Sequence, residues 1–115
     1  MDYKDIWNKQ KQYNTDHLHK NNEEFWKGKE EFAGKRIFMI TSALVHEGIE
    51  LQRETNWKWW KTPKDLDMNK IKDEIVDIFH FANQLAFEAG MSYEEFLQVF
   101  DTKLNENIDR QRRGY

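Results

Sequence analysis

The chain of 115 residues has no cysteine, which excludes disulfides, thiolate metal sites and cysteine nucleophiles. No uninterrupted apolar run approaches the ~20 residues that a membrane helix needs, and the N-terminus has no charged-then-apolar leader. A cytoplasmic protein with no membrane partner is therefore expected. Positive charge is not in excess either: 18 basic against 21 acidic side chains leave a formal charge of -3. A protein that binds by neutralising phosphates along a backbone needs the opposite balance, so no nucleic-acid partner is expected. One proline and five glycines give little punctuation, and no stretch alternates with period two for long enough to be a strand. What remains is an all-α chain, a helical bundle of about four to five helices in a single domain over residues 1–115, with no internal repeat or linker.

What the chain does have is rings and charge. Only 38% of residues are hydrophobic, but 15% are aromatic, including five Trp and eight Phe, and 34% are charged. A few large rings must then supply much of the buried area. A subunit this small and polar is expected to share its core with a second copy, as a homodimer. Helical periodicity predicts a first helix over about Tyr3 to Lys20 and a shorter one over about Asn22 to Phe32, ended by Ala33-Gly34. A third is predicted over about Lys35 to Glu54. It carries Ile37, Ile40, Leu44, Gly48 and Leu51 on one stripe and Phe38, Val45 and Ile49 on another, and so should be buried on more than one side. The connection TNWKWWKTPKDLD holds the one proline, Pro63. It leads to a fourth helix over about Met68 to Glu88, stopped by Gly90, and Ser92 with Glu95 forms a capping box that opens the last.

Within the fourth helix, DEIVDIFHF places Ile75, Ile78 and Phe79 where a buried stripe would recur, with Glu74 and Asp77 at its edge. The third helix has a matching face in Glu47, Glu50 and Glu54, at i, i+3 and i+7. Packed as an antiparallel pair, the two helices bring four carboxylates together. Crowded acids at the edge of a core repel and are desolvated, and both effects raise their pKa unless cations neutralise them. A single E-x-x-E is most often a solvated helix face. Two such motifs on consecutive helices, both beside apolar stripes, point instead to oxygen ligands for Mg²⁺, with Mn²⁺ as a substitute. On the last helix Lys103, Asn107 and Arg110 fall at i, i+4 and i+7. That face suits phosphate oxygens, although spacing alone equally describes a basic helix end that favours the macrodipole.

Glu47-x-x-Glu50 followed by Glu74-x-x-Asp77 resembles the signature of the all-α NTP pyrophosphatases, the superfamily of MazG-type enzymes and dimeric dUTP pyrophosphatases. ETNWKWWK resembles the dimeric dUTPases' N-E-T-x-x-F-K-Y-W segment, and DIFHF their D-x-L-H-F. NIDRQRRGY resembles the N-x-x-R-Q-x-x-G-Y tail of short phage and bacterial members. QKQYN is a weaker match to the Q-x-x-L-N/D pattern of the first helix, while Arg53, Trp59 and Phe79 depart from the family's Asn, Tyr and Leu.

The resemblance implies a MazG-like helical dimer that hydrolyses dUTP to dUMP and pyrophosphate with Mg²⁺. Glu47, Glu50, Glu74 and Asp77 would be the metal ligands, and a third-helix glutamate, Glu50 before Glu47, would take the proton from the attacking water. Gln10 or Asn14 would read uracil, His80, Phe81 and Trp60 would pack on base and sugar, and Lys58 would reach a phosphate. Lys103, Asn107 and Arg110, with the terminal Tyr115, would hold the substrate from the tail. Two alternatives remain open: a MazG-like or dCTP-directed pyrophosphatase, which would keep the carboxylates and change the base pocket, and a non-catalytic helical adaptor.

Overall fold

The computed structural model describes residues 1–19 and 34–114. Among these residues all regular structure is helical: α1 (Tyr3–Tyr13), a π-helical turn (Asn14–His19), α2 (Lys35–Arg53), α3 (Met68–Glu88) and α4 (Tyr93–Arg112). The expected helix over 22–32 lies outside the described residues. The all-α expectation holds, and α2 and α3 begin and end within a residue of the limits read from the sequence.

Local chemistry explains these limits. Asp2 accepts from the Asp5 amide while the Asp5 carboxylate accepts from the Asp2 amide, a reciprocal cap that opens α1. The Asp67 and Ser92 side chains accept from the amides of Lys70 and Glu95 to start α3 and α4. Gly90, at φ 78°, ends α3 in the left-handed conformation that costs any other residue steric strain. One expectation is corrected. The first helix is not uniformly α-helical to its end, because beyond Tyr13 the chain widens into the π turn that starts at Asn14.

Helices α2 and α3 form an antiparallel pair clamped at both ends. Arg36 at the start of α2 pairs with Glu88 at the end of α3 at 2.8 Å, and Glu54 just past α2 pairs with Lys70 in the first turn of α3 at 3.1 Å. The α3 positions that face this seam are half-buried at 71, 74, 78, 81, 85 and 88, the 3-4 spacing of a packed helix stripe. Helix α1 packs on α3. Its Trp7, 1% exposed, sits edge-on to Phe87 at 4.8 Å and contacts Tyr93 and Phe96 at 5.9 and 5.3 Å. These rings fix α1 and the start of α4 to the end of α3, and emptying the Trp7 site should cost about 3–5 kcal/mol.

The sequence places Ile75 and Phe79 in the core. The structure corrects this: Glu74 lies in the seam, while Ile75 and Phe79 are 40% and 56% exposed. On α2 the second stripe is also uncovered, with Phe38 62% and Val45 53% exposed, so that helix is not buried on both sides by the described residues. The seam is narrow, and one partner helix covers only one stripe. Trp7 and Ile40 are the buried hydrophobic residues of the described chain.

Candidate active site

The α2–α3 seam brings Glu47, Glu50 and Glu74 together, with one carboxylate oxygen from each within 4.8 Å of the others. Glu47 Oε2 and Glu74 Oε2 are buried without a hydrogen-bond donor. Desolvation chiefly, then a hydrogen bond to Glu50 and the charges of Glu50, Asp77 and Glu74, push the Glu47 carboxyl from its ordinary 4.5 up to about 7. Glu74 is raised as well, first by desolvation and then by the charge of Glu50. Asp77, one turn along α3, belongs to the same field. It raises both neighbours, lines the cleft with Glu47 and has its Oδ1 3.9 Å from His80 Nδ1.

Glu54, the third acid on the α2 face, is set apart because Lys70 neutralises it. Among the described ion pairs none involves Glu47, Glu50 or Glu74. A set of oxygen donors short of positive charge, two of them buried and unbonded, fits a hard divalent cation such as Mg²⁺ or Mn²⁺.

Beside the carboxylates opens a cleft of about 850 Å³. Glu47, Asp77, His80, Phe81 and Gln84 form one side, and α1 with the π turn forms the other through Ile6, Lys9, Gln10, Tyr13, Asn14 and Leu18. This volume is within the range of ligand clefts, and π turns recur at functional sites. Asn14, where the turn begins, is 3% exposed, and its Nδ2 has no acceptor among the described residues. Gln10 is engaged within the fold: its Nε2 donates to the His80 carbonyl at 2.6 Å and its Oε1 accepts from Asn83 Nδ2 at 2.9 Å.

The structure thus gathers Glu47, Glu50, Glu74, Asp77, Gln10, Asn14, His80 and Phe81 at one locality. It keeps the remaining candidates elsewhere. Lys58 lines a separate pocket of about 240 Å³ with Lys61 and Lys64. Trp60 is 59% exposed on the same loop, which Asn56 staples through two hydrogen bonds to the Lys64 backbone. Lys103, Asn107 and Arg110 are not in the cleft wall. Arg110 and Lys103 flank Glu106, at 3.0 and 3.5 Å, and Asn107 is exposed. Tyr115 lies outside the described residues. Sequence reasoning missed Ile6, Lys9, Tyr13 and Leu18, although their spacing with Gln10 and Asn14 marks one helix face. It missed Gln84 too, for which no local signal exists.

A family of dUTPases matches residues 2–115. The chain belongs to that family. It is also similar to the dCTP pyrophosphatase of Enterobacteria phage T4, 32% identical over 91 residues, which are 67% of this chain and 52% of that protein. With the dCTP pyrophosphatase of Enterobacteria phage LZ5 it shares 36% identity over 78 residues, 57% of this chain and 45% of the relative. The chain thus spans about half the length of the curated relatives it matches. No solved structure matches it. Among the described residues, no helix is long and apolar enough to cross a membrane.

Proposed function

We propose that this member of the dUTPase family is a nucleoside triphosphate pyrophosphatase that hydrolyses dUTP to dUMP and pyrophosphate with Mg²⁺. The observation that carries the proposal is the convergence of Glu47, Glu50 and Glu74 within 4.8 Å beside a nucleotide-sized cleft whose far wall holds an unsatisfied amide. A divalent cation held by Glu47, Glu50, Glu74 and Asp77 would shield the phosphate charges that otherwise repel an attacking oxygen.

The chain's own residues supply the rest. Glu50 is solvent-exposed with a carboxylate oxygen within 4.8 Å of Glu47, so water reaches it, and it is the acceptor of the proton lost by the attacking water. The Asn14 Nδ2 group needs an acceptor, which a pyrimidine carbonyl provides. Phe81 and His80 at the cleft wall pack on base and sugar.

A second specificity is favoured by the relatives: two are dCTP pyrophosphatases, and the same carboxylates would serve dCTP. The active unit is proposed to be a homodimer. The Cα radius of gyration is 17.8 Å, against about 13 Å for a compact chain of this length. The exposed stripes of α2 and α3 are joined on α4 by Leu97, Phe100, Leu104 and Ile108, all at least 39% exposed. Hydrolysis of dUTP, dCTP, dTTP and UTP with product analysis tests the proposal. Pyrophosphate and dUMP, formed fastest from dUTP and abolished by chelator, are expected. No turnover of any nucleotide would leave the helical adaptor.

A further inference from the structure

A hydrogen-bonded chain runs from α1 to α3 behind the cleft and includes two residues, Tyr3 and Asn83, that do not line it. Tyr3 Oη donates to Asn83 Oδ1 at 2.6 Å, Asn83 Nδ2 donates to Gln10 Oε1 at 2.9 Å, and Gln10 Nε2 donates to the His80 carbonyl at 2.6 Å. Asn83 is 4% exposed, the only buried residue of α3.

The chain has one possible sense. A backbone carbonyl can only accept, so the amide nitrogen of Gln10 must face His80, and its oxygen must face Asn83. The Asn83 nitrogen then faces Gln10, its oxygen faces Tyr3, and the phenol must donate. Two amides that could each be turned over are held in one sense by the carbonyl at one end, and the hydroxyl at the other, which can donate or accept, takes the role that is left and ties Asn83 to the start of α1. The phenol is itself held, because the Tyr3 ring stacks on Phe96 at 5.8 Å and lies 6.4 Å from Tyr93.

We propose that Tyr3 and Asn83 are positioning residues that lock the Gln10 amide and thereby set the base preference of the cleft. Gln10 lines the cleft with its oxygen committed to Asn83, which leaves one spare N–H. Asn14, on the same wall, adds the unsatisfied Nδ2. The held Gln10 donor and the unsatisfied Asn14 amide nitrogen are complemented by a pyrimidine with carbonyls at positions 2 and 4, the pattern of uracil. The 4-amino group of cytosine would set N–H against N–H. Without the Asn83 donor, which Tyr3 holds in place, the Gln10 side chain can swing off the His80 carbonyl and turn its oxygen toward an amino group, so the tether through Asn83 is what rejects cytosine. This rests on the pyrophosphatase function proposed above.

The test measures pyrophosphate release from dUTP and dCTP by the full-length wild type, Tyr3→Phe, Asn83→Leu, Gln10→Leu and the Tyr3→Phe/Gln10→Leu double variant, with melting curves for each. The wild type is expected to prefer dUTP. Tyr3→Phe and Asn83→Leu should each lower the ratio of kcat/KM for dUTP over dCTP at least tenfold, through KM and with kcat for dUTP little changed. In the Gln10→Leu background, Tyr3→Phe should have no further effect on the ratio, because it acts through Gln10. A merely structural role would lower both substrates alike. An unchanged ratio in both single variants, or a wild type that prefers dCTP, overturns the inference and leaves the pyrophosphatase intact. A wild type that releases pyrophosphate from neither nucleotide overturns both.

Discussion

Glu47 and Glu74 face each other across the α2–α3 seam, and each keeps Oε2 buried with no donor. In the metal-free chain protons take the place that a cation would fill: Glu47 holds its proton up to about pH 7, through desolvation and the charges of Glu50, Asp77 and Glu74. The site is thus built for positive charge that the seam itself does not supply.

Stability should follow from this with a definite sign. Between the ordinary carboxyl value of 4.5 and about 7 the folded chain binds more protons at Glu47 than the unfolded chain does, so stability falls as pH rises through that window. Glu74, also raised, acts in the same direction. The metal-free protein should melt at a higher temperature near pH 5 than near pH 7.5. Mg²⁺ should raise the melting temperature more at the higher pH, where cations no longer compete with protons. Calorimetry at both pH values, with and without Mg²⁺, checks this. A flat profile would contradict the crowding of the site.

The acids of the α2 and α3 faces should divide by function. Glu50→Ala and Asp77→Ala should abolish nucleotide hydrolysis while circular dichroism stays helical. Glu54→Gln should retain it, because Glu54 is bound to Lys70 rather than to the cluster. Losing that exposed ion pair should cost no more than about 1 kcal/mol. Equal activity loss in all three variants would mean that Glu54 belongs to the set.

Phe79 and Phe100 test the dimer. Both rings are more than half exposed, at 56% and 58%. Replacing either with Glu would be nearly neutral in a true monomer, but burying a charge without a partner at an interface is costly. Light scattering should give a dimer for the wild type and a monomer for Phe79→Glu. Dimeric mass in both variants would place the interface elsewhere.

The helices were legible because their signals are local. Asp67 and Ser92 cap within three residues, Gly90 stops within two, and the 3-4 spacing of α3 needs no tertiary information. The carboxylate cluster was legible as well, since i, i+3 spacing puts two acids on one face of each helix, and an antiparallel pair that turns those faces together collects them. Burial was harder. Ile75 and Glu74 are neighbours in sequence, and which of them faces α2 depends on the rotation of the helix pair, which Arg36–Glu88 and Glu54–Lys70 help to fix. The chain Tyr3–Asn83–Gln10 joins residues 73 and 80 positions apart and has no local pattern at all.

Gly48 gives the last prediction. It lies inside α2, where glycine is less stable than alanine by about 0.5–1 kcal/mol. Nothing among the described residues explains its presence: its φ is not left-handed, and a Cβ added there would meet no atom of another described element within 4 Å. Its face borders the uncovered stripe of Phe38, Val45 and Ile49, so the space beside it is where the second copy of a dimer would approach. Gly48→Ala should therefore have opposite effects in two backgrounds. In the monomeric Phe79→Glu variant it should raise stability by about 0.5–1 kcal/mol, the full helix-propensity gain. In the otherwise unaltered dimer the added methyl should meet the partner helix, so that the gain is cancelled or reversed and the dimer dissociates at higher protein concentration. Chemical denaturation of both pairs, with the dimer followed over a concentration series, measures the difference. The same gain in both backgrounds would show that the partner does not approach α2 at Gly48.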